Sequence, residues 1–311
     1  MEFSHIPVLA EECIIGLDIK PDGIYVDGTT GGGGHSSLIA ARLSEKGRLI
    51  CLDRDSDALE AAGKRLGPLG KNITFVQDNF CNVKQILKNL DIPARDGLLF
   101  DHGVSSYQLD NGERGFSYMT DAPLDMRMDR RQELDARQVV NTYSRDELKM
   151  IISTYGEERF AGAIASAICR RREQQPIETT LELCDVIKSA MPASAKREKQ
   201  HPAKRTFQAI RIEVNGELAA VEQAVKDAVE CLAPGGRIDV ISFHSLEDRI
   251  VKRAFASLAQ GCTCPKSFPV CICGNKPKIK LISKGVITAS EEELESNPRS
   301  RSAKLRIAEK I

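Results

Sequence analysis

The sequence predicts an α/β fold built on an open, doubly wound parallel sheet, and three observations carry that reading. Apolar, β-branched runs alternate with helical segments from Ile24 to about Asp101. The first run, Ile24-Tyr25-Val26, leads through Asp27-Gly-Thr-Thr-Gly-Gly-Gly-Gly-His-Ser36 into a helical segment, Ser37–Leu43. Polar residues recur where the runs end, which marks the ligand edge of an open parallel sheet.

Taken in order, the first strand and its glycine loop bring backbone N–H groups close to a ligand, at the positive end of a helix. Four consecutive glycines cost backbone entropy, so a plain turn rarely uses them; a flexible surface loop is the alternative. Arg48–Leu52 reads as a second buried strand ending at Asp53, roughly 20 residues past the loop, where an acidic side chain typically binds ribose hydroxyls. Ile73–Val76 is a third strand, followed by Gln77-Asp78-Asn79-Phe80. Gly97–Phe100 is a fourth, ending at Asp101. Gly33, Gly34, Asp53, Phe80 and Asp101 are predicted to line one cleft.

The pattern changes between Glu113 and Glu217. Ala136–Val140, Arg145–Tyr155, Arg159–Arg172 and Thr180–Ala190 show helical spacing with no convincing strand among them. Gly216–Leu232 reads as a helix stopped by Pro234-Gly235-Gly236, and Arg237–Ile241 as a fifth strand. Ile279–Ile282 and Ser302–Ile307 are candidate late strands, and Glu291–Glu295 a solvated loop or helix face. The predicted organisation is a first sheet segment at 1–110, an inserted all-helical subdomain at 111–215, and a return to the sheet at 216–311 with a cysteine-rich loop and a basic tail.

Composition sets bounds. The chain has 311 residues, 41% of them hydrophobic, with 44 Lys/Arg balancing 44 Asp/Glu. Zero net charge leaves no global field to attract nucleic acid, so local patches must do so. No leader-like stretch or membrane-length apolar run is present, so a cytoplasmic protein with reduced cysteines is expected. Of the ten cysteines, Cys13, Cys51, Cys81, Cys169, Cys184 and Cys231 are scattered in apolar surroundings and read as small core residues.

Two cofactor classes use such a scaffold. A nicotinamide dinucleotide site wants G-x-G-x-x-G, but aligning Gly32 and Gly34 on its first two glycines puts Ser37 where the third belongs. S-adenosylmethionine has no pyrophosphate; it wants a close backbone, one carboxylate for the ribose and others for the ammonium group. Asp27, Asp53 and Asp101 suit those duties. The segment Asp101–Asp110 is expected to face the methyl acceptor. No Pro-Pro pair and no Pro-Cys after the strand occur, which argues against the DNA amino-methyltransferase motif and against covalent cysteine attack. Direct transfer to nitrogen or oxygen remains, with a carboxylate to orient the acceptor.

Lys196–Arg211 holds six cations (among them Lys204, Arg205 and Arg211) against one acid. With Arg299 and Arg301 of the tail, these are candidate phosphate contacts. Arg170–Arg172 reads as a solvated face. Cys262-Thr-Cys264 and Cys271-Ile-Cys273 place four thiols within twelve residues. They can hold tetrahedral zinc, although structural sites more often use C-x2–4-C; a reduced loop is the alternative, and no metal is assigned from sequence.

Together these stretches resemble the MraW family of bacterial ribosomal small-subunit methyltransferases from end to end. The matching segments are His5–Leu9, Asp27–Ser36, Asp53–Asp55, Gly103–Ser106, Glu113–Ser117, Pro123–Asp129, Tyr155–Phe160, His201–Arg211, Ser242–Asp248 and Asn297–Arg301. The resemblance implies a Rossmann-like class I S-adenosylmethionine-dependent enzyme that methylates the N4 amine of a cytidine in the decoding (P-site) region of 16S rRNA. It implies cofactor contacts at Gly33, Gly34, His35, Asp53, Phe80, Asp101 and Gln108, of which His35 and Gln108 rest on the resemblance alone. Asp101 is the candidate catalytic residue, and His244, after the fifth strand, a candidate RNA contact. Many members carry Leu where this chain has His102. A late small-subunit particle is the expected substrate. Homodimers are common among such enzymes, though no surface stripe here demands one. The competing readings are a nicotinamide oxidoreductase, a non-catalytic RNA-binding assembly factor, and methylation of protein or DNA.

Overall fold

A computed structural model describes residues 7–92, 94–105, 108, 111–196, 200–265, 270–283 and 285–311. His5, Ile6, Ser106, Tyr107, Leu109, Asp110, Arg197, Glu198 and Lys199, which enter the motifs and the basic run above, lie outside the described residues, as does the Lys196 side chain. The chain divides into two compact units, Met1–Gly103 with Leu218–Ile311, and Val104–Glu217.

The first unit is a Rossmann-like α/β domain around a seven-stranded sheet. Its strands are β1 (Ile24–Asp27), β2 (Arg48–Asp53), β3 (Asn72–Gln77), β4 (Arg95–Asp101), β5 (Leu232–Ser242), β6 (Ile279–Leu281) and β7 (Lys304–Lys310). Their order is β3-β2-β1-β4-β5-β7-β6. The first five strands run parallel, and β7 and β6 close that side antiparallel. Both faces are covered, which is why β2 and β4 read as continuous apolar runs. Alternate side chains go to opposite faces. Val26, Ile50, Leu52, Leu98 and Phe100 join one core with Val221, Val225 and Phe255. Tyr25, Leu49, Cys51 and Leu99 join the other with Leu9, Leu17, Ile39 and Leu43. Each such fully buried Leu, Ile or Phe stabilises the sheet by about 1.5–3 kcal/mol. β3, at the sheet edge, is only half-buried.

Several sequence-based boundaries need correction. The helix after the glycine loop spans Gly34–Ala40, not Ser37–Leu43, so Gly34 and His35 lie in its first turn. β5 starts at Leu232 and includes Pro234-Gly235-Gly236. Its pairing jumps from Arg95↔Leu232 to Gly97↔Arg237, so those turn residues form a bulge in the strand instead of preceding it. Cys81 and Cys169 are only partly buried, unlike the other four scattered cysteines. Glu291–Ser296 is a short helix capped by Ser290.

The second unit has a helical core. Its main helices are Ala136–Thr142, Arg145–Gly156, Ala161–Gln174, Thr180–Ala190 and Lys204–Asn215. Ser144/Glu147 and Thr179/Glu182 are reciprocal capping boxes that satisfy the first backbone N–H groups of two of them. Val139, Leu148, Ile151, Ile164, Ile187 and Ile210 meet in one core. The segment before these helices is pinned by polar clamps. Arg114 is fully buried, and its Nη2 donates to the carbonyls of Arg127 (2.9 Å) and Met128 (3.3 Å). Asn215 Oδ1 accepts from Met128 N–H at 2.8 Å, and its Nδ2 donates to Met126 O at 2.8 Å. Gly115 has φ +71, and a Cβ there would overlap the Pro123 carbonyl oxygen. The Glu113–Ser117 and Pro123–Asp129 motifs are therefore, at Arg114 and Gly115, framework. No helix among the described residues is long and apolar enough to cross a membrane.

Candidate active site

The topology creates a switch point in the first unit. β1 is hydrogen-bonded to both β2 and β4, so the chain leaves the carboxyl ends of β1 and β4 in opposite directions. Crevices for ligands form at that place in open α/β sheets. β1 ends at Asp27, β2 at Asp53 and β4 at Asp101. The Asp101 backbone N–H donates to Thr29 Oγ1 at 2.6 Å, which ties the loop after β1 to the end of β4.

Asp27 is buried at the base. Its Oδ2 accepts the Ser36 hydroxyl at 2.6 Å and its Oδ1 the Thr29 N–H at 3.2 Å. Burial outweighs these bonds and, helped by the Asp53 charge, pushes its carboxyl up to about 6. Asp53 accepts Gly31 N–H on Oδ2 (2.8 Å) and Asp55 N–H on Oδ1 (2.9 Å). Each of its oxygens retains a further lone pair. Gly33, at φ +77, caps the following helix, and its N–H closes a turn on Thr30 O at 2.8 Å. A residue with Cβ would be strained there.

Asp101 is the least satisfied of the three acids. Its side chain is 25% exposed, yet Oδ1 is shielded from solvent and has no hydrogen-bond partner among the described residues. Burial, followed by the Asp27 and Glu247 charges, raises its pKa well above the usual carboxylate range. His35 faces it, with Nδ1 at 3.6 Å from Asp101 Oδ2 and Nε2 at 2.8 Å from the Val8 carbonyl. Next in the chain, His102 is buried, and burial drives its pKa down to about 4. Its ring lies 5.9 Å from Phe100 and 5.1 Å from Phe80. Phe80, itself buried, has the Arg54 guanidinium 5.8 Å from its ring centroid.

This donor set fits S-adenosylmethionine. Asp101 Oδ1 is a dry acceptor in need of a donor, an unpaired state that costs about 1–3 kcal/mol. Three carboxylates converge on the crevice, which suits a cationic ligand carrying an ammonium group and a ribose diol. Phe80 adds an apolar ring.

The structure thus brings Gly33, Gly34, His35, Asp53, Phe80 and Asp101 into one region of the first unit. Gln108 belongs to the second unit, where its Oε1 accepts from Ser105 N–H at 3.0 Å. Lys204 and Arg205 are exposed there on the helix Lys204–Asn215. Arg211, on the same helix, instead makes a two-pronged ion pair with Glu217, at 2.9 Å on each prong. Arg299 and Arg301 are exposed in the first unit. His244 caps the helix Ser245–Ala259: its Nδ1 accepts from Glu247 N–H at 3.4 Å, while Glu247 Oε2 accepts from His244 N–H at 3.3 Å. Sequence reasoning missed Thr29, Ser36 and Glu247. Thr29 and Ser36 lay inside the glycine motif; Glu247 reads in sequence as an ordinary capping-box residue.

The MraW methylase family model matches residues 2–311. Ribosomal RNA small subunit methyltransferase H of Brevibacillus brevis is 55% identical across all of this chain and 99% of its own length. The protein of that name from Clostridium botulinum is 56% identical across the full length of both.

Proposed function

The chain belongs to the MraW methylase family, and from that premise we propose that it methylates the N4 amine of a cytidine in the decoding, P-site region of 16S rRNA. Its cofactor is S-adenosylmethionine. The relatives' name supports small-subunit rRNA as the substrate. The Oδ1 of Asp101 at the switch point, without a hydrogen-bond partner among the described residues, is the observation that carries the chemistry.

When bound, S-adenosylmethionine supplies an electrophilic methyl group on a sulfonium. The cytosine amine is a weak nucleophile because its lone pair is delocalised into the ring. Asp101 accepts a hydrogen bond from that amine, aims its nitrogen, and takes up the proton released as the N–C bond forms. His35 positions Asp101 through the Nδ1 edge. Asp53 holds the ribose hydroxyls, Gly33 and Gly34 keep the backbone close, and Phe80 packs against the ligand. Asp27 adds negative charge beneath the site. The cytosine must leave its stack to react.

The first unit carries the catalytic chemistry, and the second, helical unit recognises RNA. Lys204, Arg205, Arg299 and Arg301 contact phosphates. A protein of zero net charge gains little from non-specific attraction, which favours a late small-subunit particle in the cytoplasm over naked rRNA. The test is methyl transfer from labelled S-adenosylmethionine to small subunits of cells lacking this protein, followed by nucleoside mass spectrometry. N4-methylcytidine is expected. Label in 5-methylcytidine would overturn direct transfer to nitrogen, and cofactor binding without transfer would favour an assembly factor.

A further inference from the structure

We propose that Cys262, Cys264, Cys271 and Cys273 bind one structural Zn²⁺ ion as a tetrathiolate site. All four sulfurs lie within 4.8 Å of one another. Four of the separations are 3.3 Å (Cys262–Cys271), 3.9 Å (Cys264–Cys271), 3.6 Å (Cys271–Cys273) and 3.7 Å (Cys262–Cys273). Four thiolates at about 2.3 Å from one zinc stand about 3.8 Å apart along each edge of the tetrahedron. The sulfurs thus already enclose a volume of the right size for one tetrahedral ion. A disulfide would bring a pair to about 2.05 Å and gives no reason for all four to converge. A multi-iron cluster needs its thiolates spread around a larger body than this.

The surrounding backbone is arranged for thiolates. Thr263 N–H donates to Cys273 Sγ at 3.3 Å, and Asn275 N–H donates to the same sulfur at 3.5 Å. Ile272 and Cys273 N–H both donate to Cys264 Sγ at 3.3 Å. Such bonds spread the charge of metal-bound sulfur and orient the ligands. The neck of the loop is also closed. Asn275 Nδ2 donates to the carbonyls of Gln260 (3.1 Å) and Gly261 (2.9 Å), and Lys278 N–H donates to Leu258 O at 2.8 Å.

Among the described residues of the loop, the apolar side chains Val270 and Ile272 are 71% and 76% exposed, so burial of these two does not hold it. Four like-charged thiolates in contact would repel without a cation between them. With four protein ligands no coordination position is left for water or substrate, which makes the ion structural. The C-x-C spacing, shorter than the common one, is accommodated because the two halves cross: Cys271 and Cys273 both approach Cys262.

The test uses the full-length chain purified with reductant from zinc-replete cells. Metal analysis is expected to give about one zinc per chain, and a Cys264→Ser/Cys273→Ser variant to lose it. Because that variant could misfold, wild-type protein stripped by chelator is also titrated with Co²⁺. The thiolate-to-cobalt charge-transfer bands and intense visible bands of a tetrahedral tetrathiolate are expected, and Zn²⁺ should abolish them. Substoichiometric zinc with no such cobalt spectrum would overturn the proposal. So would iron in place of zinc, or disulfides among these cysteines in the reductant-purified protein.

Discussion

His35 turns Nδ1 toward Asp101 Oδ2 at 3.6 Å while its Nε2 lies 2.8 Å from the Val8 carbonyl oxygen. A carbonyl only accepts, so Nε2 carries a proton. In neutral His35 the bare Nδ1 would face a carboxylate oxygen, and two lone pairs would oppose each other. A proton between them removes that conflict, and the raised pKa of Asp101 makes it available. The pair is therefore a place where a proton can be held.

The first prediction follows for catalysis. If Asp101 takes the amine proton as proposed, it does so only when ionised, and its folded-state pKa is raised, so kcat should rise with pH as Asp101 loses its proton. Asp101→Asn should lower kcat by about 10²–10³-fold, the scale of a lost general base. His35→Gln can still donate to Val8 O but cannot share the proton. It should lower kcat about tenfold or more and displace the acidic limb of the pH profile. An unaltered pH profile in His35→Gln would remove His35 from this role.

Cofactor binding should have its own pH dependence. Asp27 sits near 6 in the free protein, and a cationic ligand favours its ionised form. Affinity should therefore be full above pH 7 and fall as pH drops through 6. Calorimetric titration across this range measures it. Asp27→Asn should weaken binding at neutral pH and flatten the dependence; a wild-type affinity constant down to pH 5 would contradict the assignment.

His102 should be a stability liability. Its folded pKa of about 4 lies below the 6.5 of a free imidazole. The unfolded chain thus takes up a proton that the folded chain refuses, so stability is lost as pH falls from 6.5 toward 4. Its Nε2 is buried without a partner among the described residues, a further cost of about 1–3 kcal/mol. His102→Leu should raise the denaturation midpoint and flatten its fall below pH 6.5, with methyl transfer retained. Denaturant melts at several pH values test this, and a destabilised Leu variant would show that the imidazole has a partner in solution.

What the sequence disclosed follows from how local each signal is. The parallel strands were legible because burial on both faces leaves uninterrupted runs such as Leu49–Leu52. The acids at strand ends were legible because topology puts all such ends on one edge. The bulge at Pro234–Gly236 was not, since its turn residues are the usual stop signals and only pairing with Arg95 shows them inside a strand. His35 was hidden because its meaning depends on Asp101, far along the chain. Arg211 read as part of a cationic run, yet its commitment to Glu217 is a tertiary fact.

That last distinction separates two kinds of arginine on one helix and gives the final prediction. Lys204 and Arg205 are exposed, whereas the Arg211 and Glu217 side chains are only 18% and 6% exposed. Exposed phosphate contacts act through counterion release, so each one lost lowers the salt slope of binding by about 0.7–0.9. A Lys204→Ala/Arg205→Ala variant should fold normally, raise KM for small subunits several-fold at physiological salt, and bind with a shallower salt dependence. Arg211→Ala instead leaves Glu217 buried without its partner, which costs about 3–5 kcal/mol of stability. Its defect should appear as a lowered melting temperature, with little change in salt slope for the fraction that stays folded. Measuring both variants by thermal melts and by salt-dependent subunit binding decides the matter: a shallower slope for Arg211→Ala with unchanged stability would place Arg211 on the RNA instead.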